Sequence, residues 1–195
     1  MRFASSTHPT SHLLIMSQTP STEFFELFEL PVSYEIDLAK LAVTYQKLQA
    51  QYHPDRFASE DAKTRRAAVE NAALINQAND TLIDPLKRGC YLLKMVGSEC
   101  NPGNNTISDG AFLMQQLEYR ERLEEVDENE DPFAAIDQVR DDVTEHQNQL
   151  IDAFKSSYGS GDFTVALDNL TKLQFFGRLK RQLDDQEAEL EDALL

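Results

Sequence analysis

From Glu23 onward, apolar residues recur at intervals of three and four, and no stretch alternates strictly between apolar and polar positions. This spacing predicts an all-α fold. The first amphipathic stretch, Thr22 to Phe28, offers Phe24, Phe25, Leu27 and Phe28 to a neighbour and is ended by Pro31. A second runs from an Asp37 cap to Tyr52, with Leu38, Leu41, Ala42, Tyr45, Leu48, Gln49 and Tyr52 on one face. Gln49 is the polar member of that stripe. A third helix is expected from about Asp61 to Ile83, burying Ala62, Val69, Ala72, Ala73, Leu82 and part of Ile75, with Asp84-Pro85 as its stop.

A shorter helix with Tyr91, Leu92, Leu93 and Val96 follows, and the cluster Asn101 to Asn105 marks a turn. Beyond it, Ser108 or Asp109 caps a long helix reaching about Asn129. Pro132 opens another to about Ser157, Gly159 to Gly161 break it, and a last helix runs from Phe163 towards Leu195. The pattern predicts a domain boundary near Asp84 and three antiparallel helices in the second half. The range 1–21 is rich in Ser, Thr and His, contains no acid, and reads as a disordered tail in which Met1 or Met16 can be the start. Its longest apolar run, Leu13 to Met16, is too short for a membrane span or a secretory signal core.

Charge narrows the function classes. The 195 residues carry a formal net charge of -16, and residues 85–195, with 11 basic against 23 acidic side chains, hold -12 of it. A non-specific grip on nucleic acid or on an anionic membrane needs a cationic surface, so both are excluded as partners and proteins are expected instead. Cys90 and Cys100 form no C-x-x-C pair of the kind that holds zinc or works in redox exchange. Neither metal nor cofactor is therefore expected, and a reducing cytoplasm is the default location.

One tripeptide carries candidate chemistry. His53, Pro54 and Asp55 stand where the second helix must end, because proline disfavours helical geometry before it and lacks the amide donor. The result is a stiff, exposed corner displaying an imidazole and a carboxylate able to take a bidentate bond from an arginine. An enzymatic base and its orienting acid are the rival reading. Residues two apart across Pro54 point outward without an evident pocket, and His8, His12, His53 and His146 are too scattered to hold a metal.

The run Tyr45 to Tyr52, then His53-Pro54-Asp55-Arg56-Phe57, resembles the J-domain signature, and Ile75 to Leu82 followed by Asp84-Pro85 and Lys87-Arg88 is similar to the usual end of that domain. The resemblance spans about residues 22–88; Arg56 stands where many members have lysine. It implies a non-enzymatic co-chaperone that docks a 70-kDa heat-shock chaperone through His53, Pro54, Asp55 and Arg56 and triggers its ATP hydrolysis through the His53-Pro54-Asp55 tripeptide. Lys40 and Lys47, seven residues apart and opposite the apolar stripe, inherit the docking role by position.

In the second half, Phe112, Tyr119, Leu123 and Val126 form one helical stripe, which leaves Leu113, Met114 and Leu117 on other sides among Glu118, Glu121 and Glu124. Packing against a neighbouring helix is the ordinary explanation for such a second apolar patch. Exposed, it is an anchor for a partner. Phe112 to Glu124 resembles the scaffold-binding helix of the HscB family, and Lys172 to Phe176 the segment that adds an aromatic, here Phe175.

This resemblance runs from about Phe24 to the C-terminus and implies a specialised chaperone of HscA type and an iron-sulfur scaffold of IscU type as partners. The candidate scaffold residues are then Leu113, Met114, Leu117, Glu118, Glu121 and Phe175. Without the four-cysteine site of eukaryotic relatives, the pattern is closer to the bacterial type. A J-domain protein serving a general 70-kDa chaperone is the nearest rival, but Gly/Phe-rich and zinc-binding segments are lacking. The division expected is a J domain at 22–88, a short helix and loop at 89–107, and a three-helix bundle at 108–195.

Overall fold

The computed structural model describes residues 22–104, 107 and 109–193. The predicted tail and the choice between Met1 and Met16 lie outside the described residues. Among these there is no strand, and the chain is all-α. It forms two compact units, the first holding residues 36–83 with the stretch ending at Val32, the second holding Ser33–Glu35 and everything from Asp84.

The first unit contains α1 (Glu23–Leu27), α2 (Leu38–Tyr52) and α3 (Ala62–Ile83), with a 3-10 turn, Pro54–Phe57, between the last two. Asp37 caps α2 by accepting from the Lys40 amide at 2.9 Å. Asp61 does the same for α3 from Thr64 at 2.7 Å. That backbone donor holds the Asp61 carboxyl below the usual carboxylate range. The core gathers Phe24, Phe25, Phe28 and Leu30 against Leu41 of α2 and Ala68, Leu74, Ile75, Ala78 and Leu82 of α3.

Two details differ from the expected pattern. Gln49 is no defect: its amide donates to Asn76 Oδ1 at 2.9 Å and to the Tyr45 hydroxyl at 2.6 Å, cross-linking α2 to α3. On α3 the buried face is rotated from the one expected, because Ala62, Val69 and Ala73 are exposed while Ala68, Leu74 and Ala78 are buried. Many alanines blur the stripe, since a methyl buries too little area to mark a face; the larger Leu74, Ile75 and Leu82 decide the helix's rotation.

The second unit contains α4 (Pro85–Met95), α5 (Gly110–Glu124), α6 (Pro132–Ser160) and α7 (Phe163–Ala193), with 3-10 turns at Pro102–Asn104 and Val126–Glu128. α6 and α7 pair along their length. Pro132 occupies the first turn of α6, Asp131 caps it, and Gly161 in the left-handed region (φ 82°) ends it. Phe112, Tyr119 and Leu123 of α5 pack with Ile136, Val139 and Val143 of α6 and Phe176, Leu179 and Leu183 of α7.

Residues 84–88, expected with the J domain, belong to this second unit. The cause is packing: α4 lies against α7, with Gly89 so close that a Cβ there would come 2.7 Å from Leu170 Cδ2. Arg88 places its guanidinium 4.9 Å over the Tyr34 ring, which itself meets Phe154 at 4.8 Å. Burial pushes the Tyr34 hydroxyl up to about 12. Cys90 and Cys100, which carry no pairing signal in the sequence, are joined by a disulfide.

Candidate partner-binding sites

The corner after α2 follows from local chemistry. His53 leaves the helix at φ -58° and ψ 126°, as a residue before proline must, and Pro54 opens the short turn. His53 Nδ1 accepts from the Asp55 amide at 3.4 Å and lies 3.7 Å from Asp55 Oδ2. Both side chains face solvent, His53 at 58% and Asp55 at 91% exposure. Arg56 points the other way, donating to the Ala50 carbonyl at 2.9 Å and satisfying an acceptor in the last turn of α2.

The outer face of α2 carries Lys40 and Lys47, both exposed. Between them stands Val43, 52% exposed, an apolar centre to a basic face that the charge pattern alone did not single out. Lys40 also donates from Nζ to the Glu29 carbonyl, which bends the end of its side chain towards the α1–α2 connection. Arg56 and Lys40 thus brace the corner and the face, while His53, Asp55 and Lys47 present theirs.

On α5 the two faces separate cleanly. Phe112, Tyr119 and Leu123 point inward at 6%, 3% and 4% exposure, whereas Leu113, Met114 and Leu117 are 45%, 67% and 49% exposed, with Glu118 and Glu121 exposed among them. Phe175 on α7 is half-buried, its ring edge-on to Phe112 at 5.6 Å and to its neighbour Phe176 at 5.3 Å. It therefore sits beside the start of α5, held through Phe112.

Of the two caps expected for α5 the structure uses Asp109, and the ties of α5 to α6 and α7 were not apparent from spacing. Asp109 caps the helix by accepting from Ala111 and Phe112, and its other oxygen takes a 2.7 Å bond from Lys172. The Lys172 ammonium and the two backbone donors hold the Asp109 carboxyl below its ordinary value. His146 of α6 stacks on Phe176 at 5.5 Å, and its Nδ1 lies 2.9 Å from the Tyr119 hydroxyl and 2.8 Å from the Asp142 carbonyl. Its Nε2 meets the Gln115 amide at 2.6 Å. Burial pushes the Tyr119 hydroxyl up to about 12.

No group of three or more His, Cys, Asp and Glu side chains able to hold a metal ion occurs among the described residues, and His8 and His12 lie outside them. No helix among the described residues is long and apolar enough to cross a membrane.

A co-chaperone protein HscB homolog from Aeromonas salmonicida is 41% identical over 160 residues, covering 82% of this chain and 93% of its own. The chain belongs to the HscB co-chaperone family. Residues 108–184, from the α5 cap through most of α7, match the HSCB C-terminal oligomerisation domain. The HscB chaperone of Vibrio cholerae superposes with a TM-score of 0.77 at 38% identity, covering 88% of this chain and 99% of that one. Human co-chaperone HscB superposes with a TM-score of 0.79 at 29% identity, covering 96% and 92%. The HscB architecture assigns the first unit as the J domain and the second as the C-terminal helical bundle.

Proposed function

We propose that this HscB-family chain stimulates the ATPase of a specialised 70-kDa heat-shock chaperone of HscA type and delivers to it an iron-sulfur scaffold protein of IscU type, promoting cluster assembly and transfer in the cytoplasm. The chain itself performs no chemistry. Its J domain favours one conformation of the chaperone, which requires a difference in affinity for the chaperone's two states. His53 and Asp55 are the groups offered to a basic partner loop, with the Lys40, Val43 and Lys47 face giving the first electrostatic grip.

The observation that carries the reading is the open outer face of α5. Leu113, Met114 and Leu117 are large apolar side chains about half exposed, rimmed by Glu118 and Glu121, on a helix whose other face is fully used in the core. That arrangement fits one folded client with an apolar anchor point and basic surroundings better than assorted unfolded chains. Phe175 of α7, edge-on to Phe112, is assigned to the same site by the family resemblance.

Binding of an IscU-type scaffold, followed by calorimetry, tests it. Leu113→Ala, Leu117→Ala and Phe175→Ala are each expected to weaken binding about tenfold or more, as truncation of an interface anchor does. Unchanged affinity in all three would remove α5 as the docking helix.

A further inference from the structure

The described parts of the connection from α4 to α5 are fastened both to α4 and to α7. Cys90 on α4 and Cys100 in the loop are disulfide-bonded with their Cα atoms 5.2 Å apart. Between them Gly97, at φ 79°, turns the chain back, and the Ser98 amide donates to the Leu93 carbonyl at 3.0 Å. The Pro102–Asn104 turn then rests on α7, where a Cβ on Gly103 would lie 3.7 Å from the Gln174 side chain. Further on, Ile107 packs on the core around Phe112, and Asp109 binds Lys172. Lys172 and Gln174 lie within the turn of α7 that leads into Phe175, whose ring is edge-on to Phe112 of α5.

We infer that the Cys90–Cys100 bond is a redox-sensitive staple that sets how firmly α5 and Phe175 are presented, an inference that rests on the reading of α5 as the scaffold-binding helix. Cys100 is buried at 4% exposure, whereas Cys90 is half-buried and is the sulfur a reductant reaches first. The thiolate of a dithiol reductant attacks Cys90 Sγ and expels Cys100 as a thiolate, which takes up a proton. The reductant's second thiol then attacks the mixed disulfide, releasing Cys90 as a thiol and leaving the reductant as a disulfide. Two electrons and two protons pass to the protein. The loop is then held only by non-covalent contacts, and the ordering that the oxidised form has already completed must occur on binding.

The test uses the full chain treated either with oxidised glutathione or with dithiothreitol, beside a Cys90→Ser/Cys100→Ser double variant. Alkylation and mass measurement are expected to find no free thiol in the oxidised chain and two in the reduced one. Amide exchange across residues 97–112 is expected to be faster in the reduced chain and in the variant. The oxidised chain is expected to bind an IscU-type scaffold about three- to tenfold more tightly than the reduced chain, with the variant matching the reduced chain under both treatments.

Two free thiols after oxidation overturn the inference. So does equal affinity of the two forms while Leu117→Ala still weakens binding, and so does a variant that responds to the reagents as the wild type does. If Leu117→Ala leaves affinity unchanged, the reading of α5 fails instead, and exchange across 97–112 decides the staple alone: equal protection in both forms overturns it.

Discussion

Asp109 shows how much one side chain can carry. It caps α5 through two backbone donors and ties that cap to α7 through Lys172. Asp109→Asn keeps an acceptor for the cap but loses the ion pair, so it isolates the charge contribution. The carboxyl is lowered from 3.8, with the Lys172 bond as the largest cause, and a lowered carboxylate stabilises the fold above its unfolded value. The contribution is lost as pH falls through the folded-state value. Lys172 is raised above 10.5 by Asp109 and Asp168 despite burial, so its share persists through neutral pH and is lost only when pH rises through that higher value. Urea unfolding at pH 7 should therefore find Asp109→Asn weaker than wild type, and the gap should close as the pH drops below 3.8. A gap that survives at low pH would assign the loss to the cap instead.

At the scale of elements, adjacent aromatics on α7 have different work. Phe176 is 1% exposed and packed among Phe112, Tyr119 and His146, so Phe176→Ala is expected to cost about 3–5 kcal/mol in chemical denaturation. Phe175 is half-buried, and Phe175→Ala should cost about 1 kcal/mol. Equal costs would mean that both rings belong to the core. The helices themselves were legible, because prolines, an Asp cap before each of α2, α5 and α6, and the glycine break at Gly161 are strong local signals. The rotation of α3 was not, since alanine-rich spacing fits more than one face. His146 gave no sequence signal at all: a lone histidine reveals its partners only when α5, α6 and α7 come together. The pairing of Cys90 with Cys100 likewise depends on a turn that spacing does not report.

At the scale of the molecule, the chain forms two compact units that part at Asp84, where Asp84-Pro85 stops α3, so the J-domain range expected to reach residue 88 ends sooner. The exposure of the His53-Pro54-Asp55 corner and of the apolar residues α5 does not bury was legible too. The braces behind them, Arg56 on Ala50 and Lys40 on Glu29, were not, because long basic side chains choose between solvent and a nearby carbonyl only in the folded state. On the proposed reading, separate cores make the two functions separable. His53→Gln, at an exposed position, should shift stability by less than about 0.5 kcal/mol and leave scaffold affinity unchanged, while Leu117→Ala should leave stimulation without scaffold unchanged. The most direct test is steady-state ATP hydrolysis by an HscA-type chaperone, titrated with the wild-type chain and with His53→Gln. Wild type is expected to raise the rate to a saturable plateau and His53→Gln to leave it near the unstimulated level; equal stimulation by the two would contradict the account.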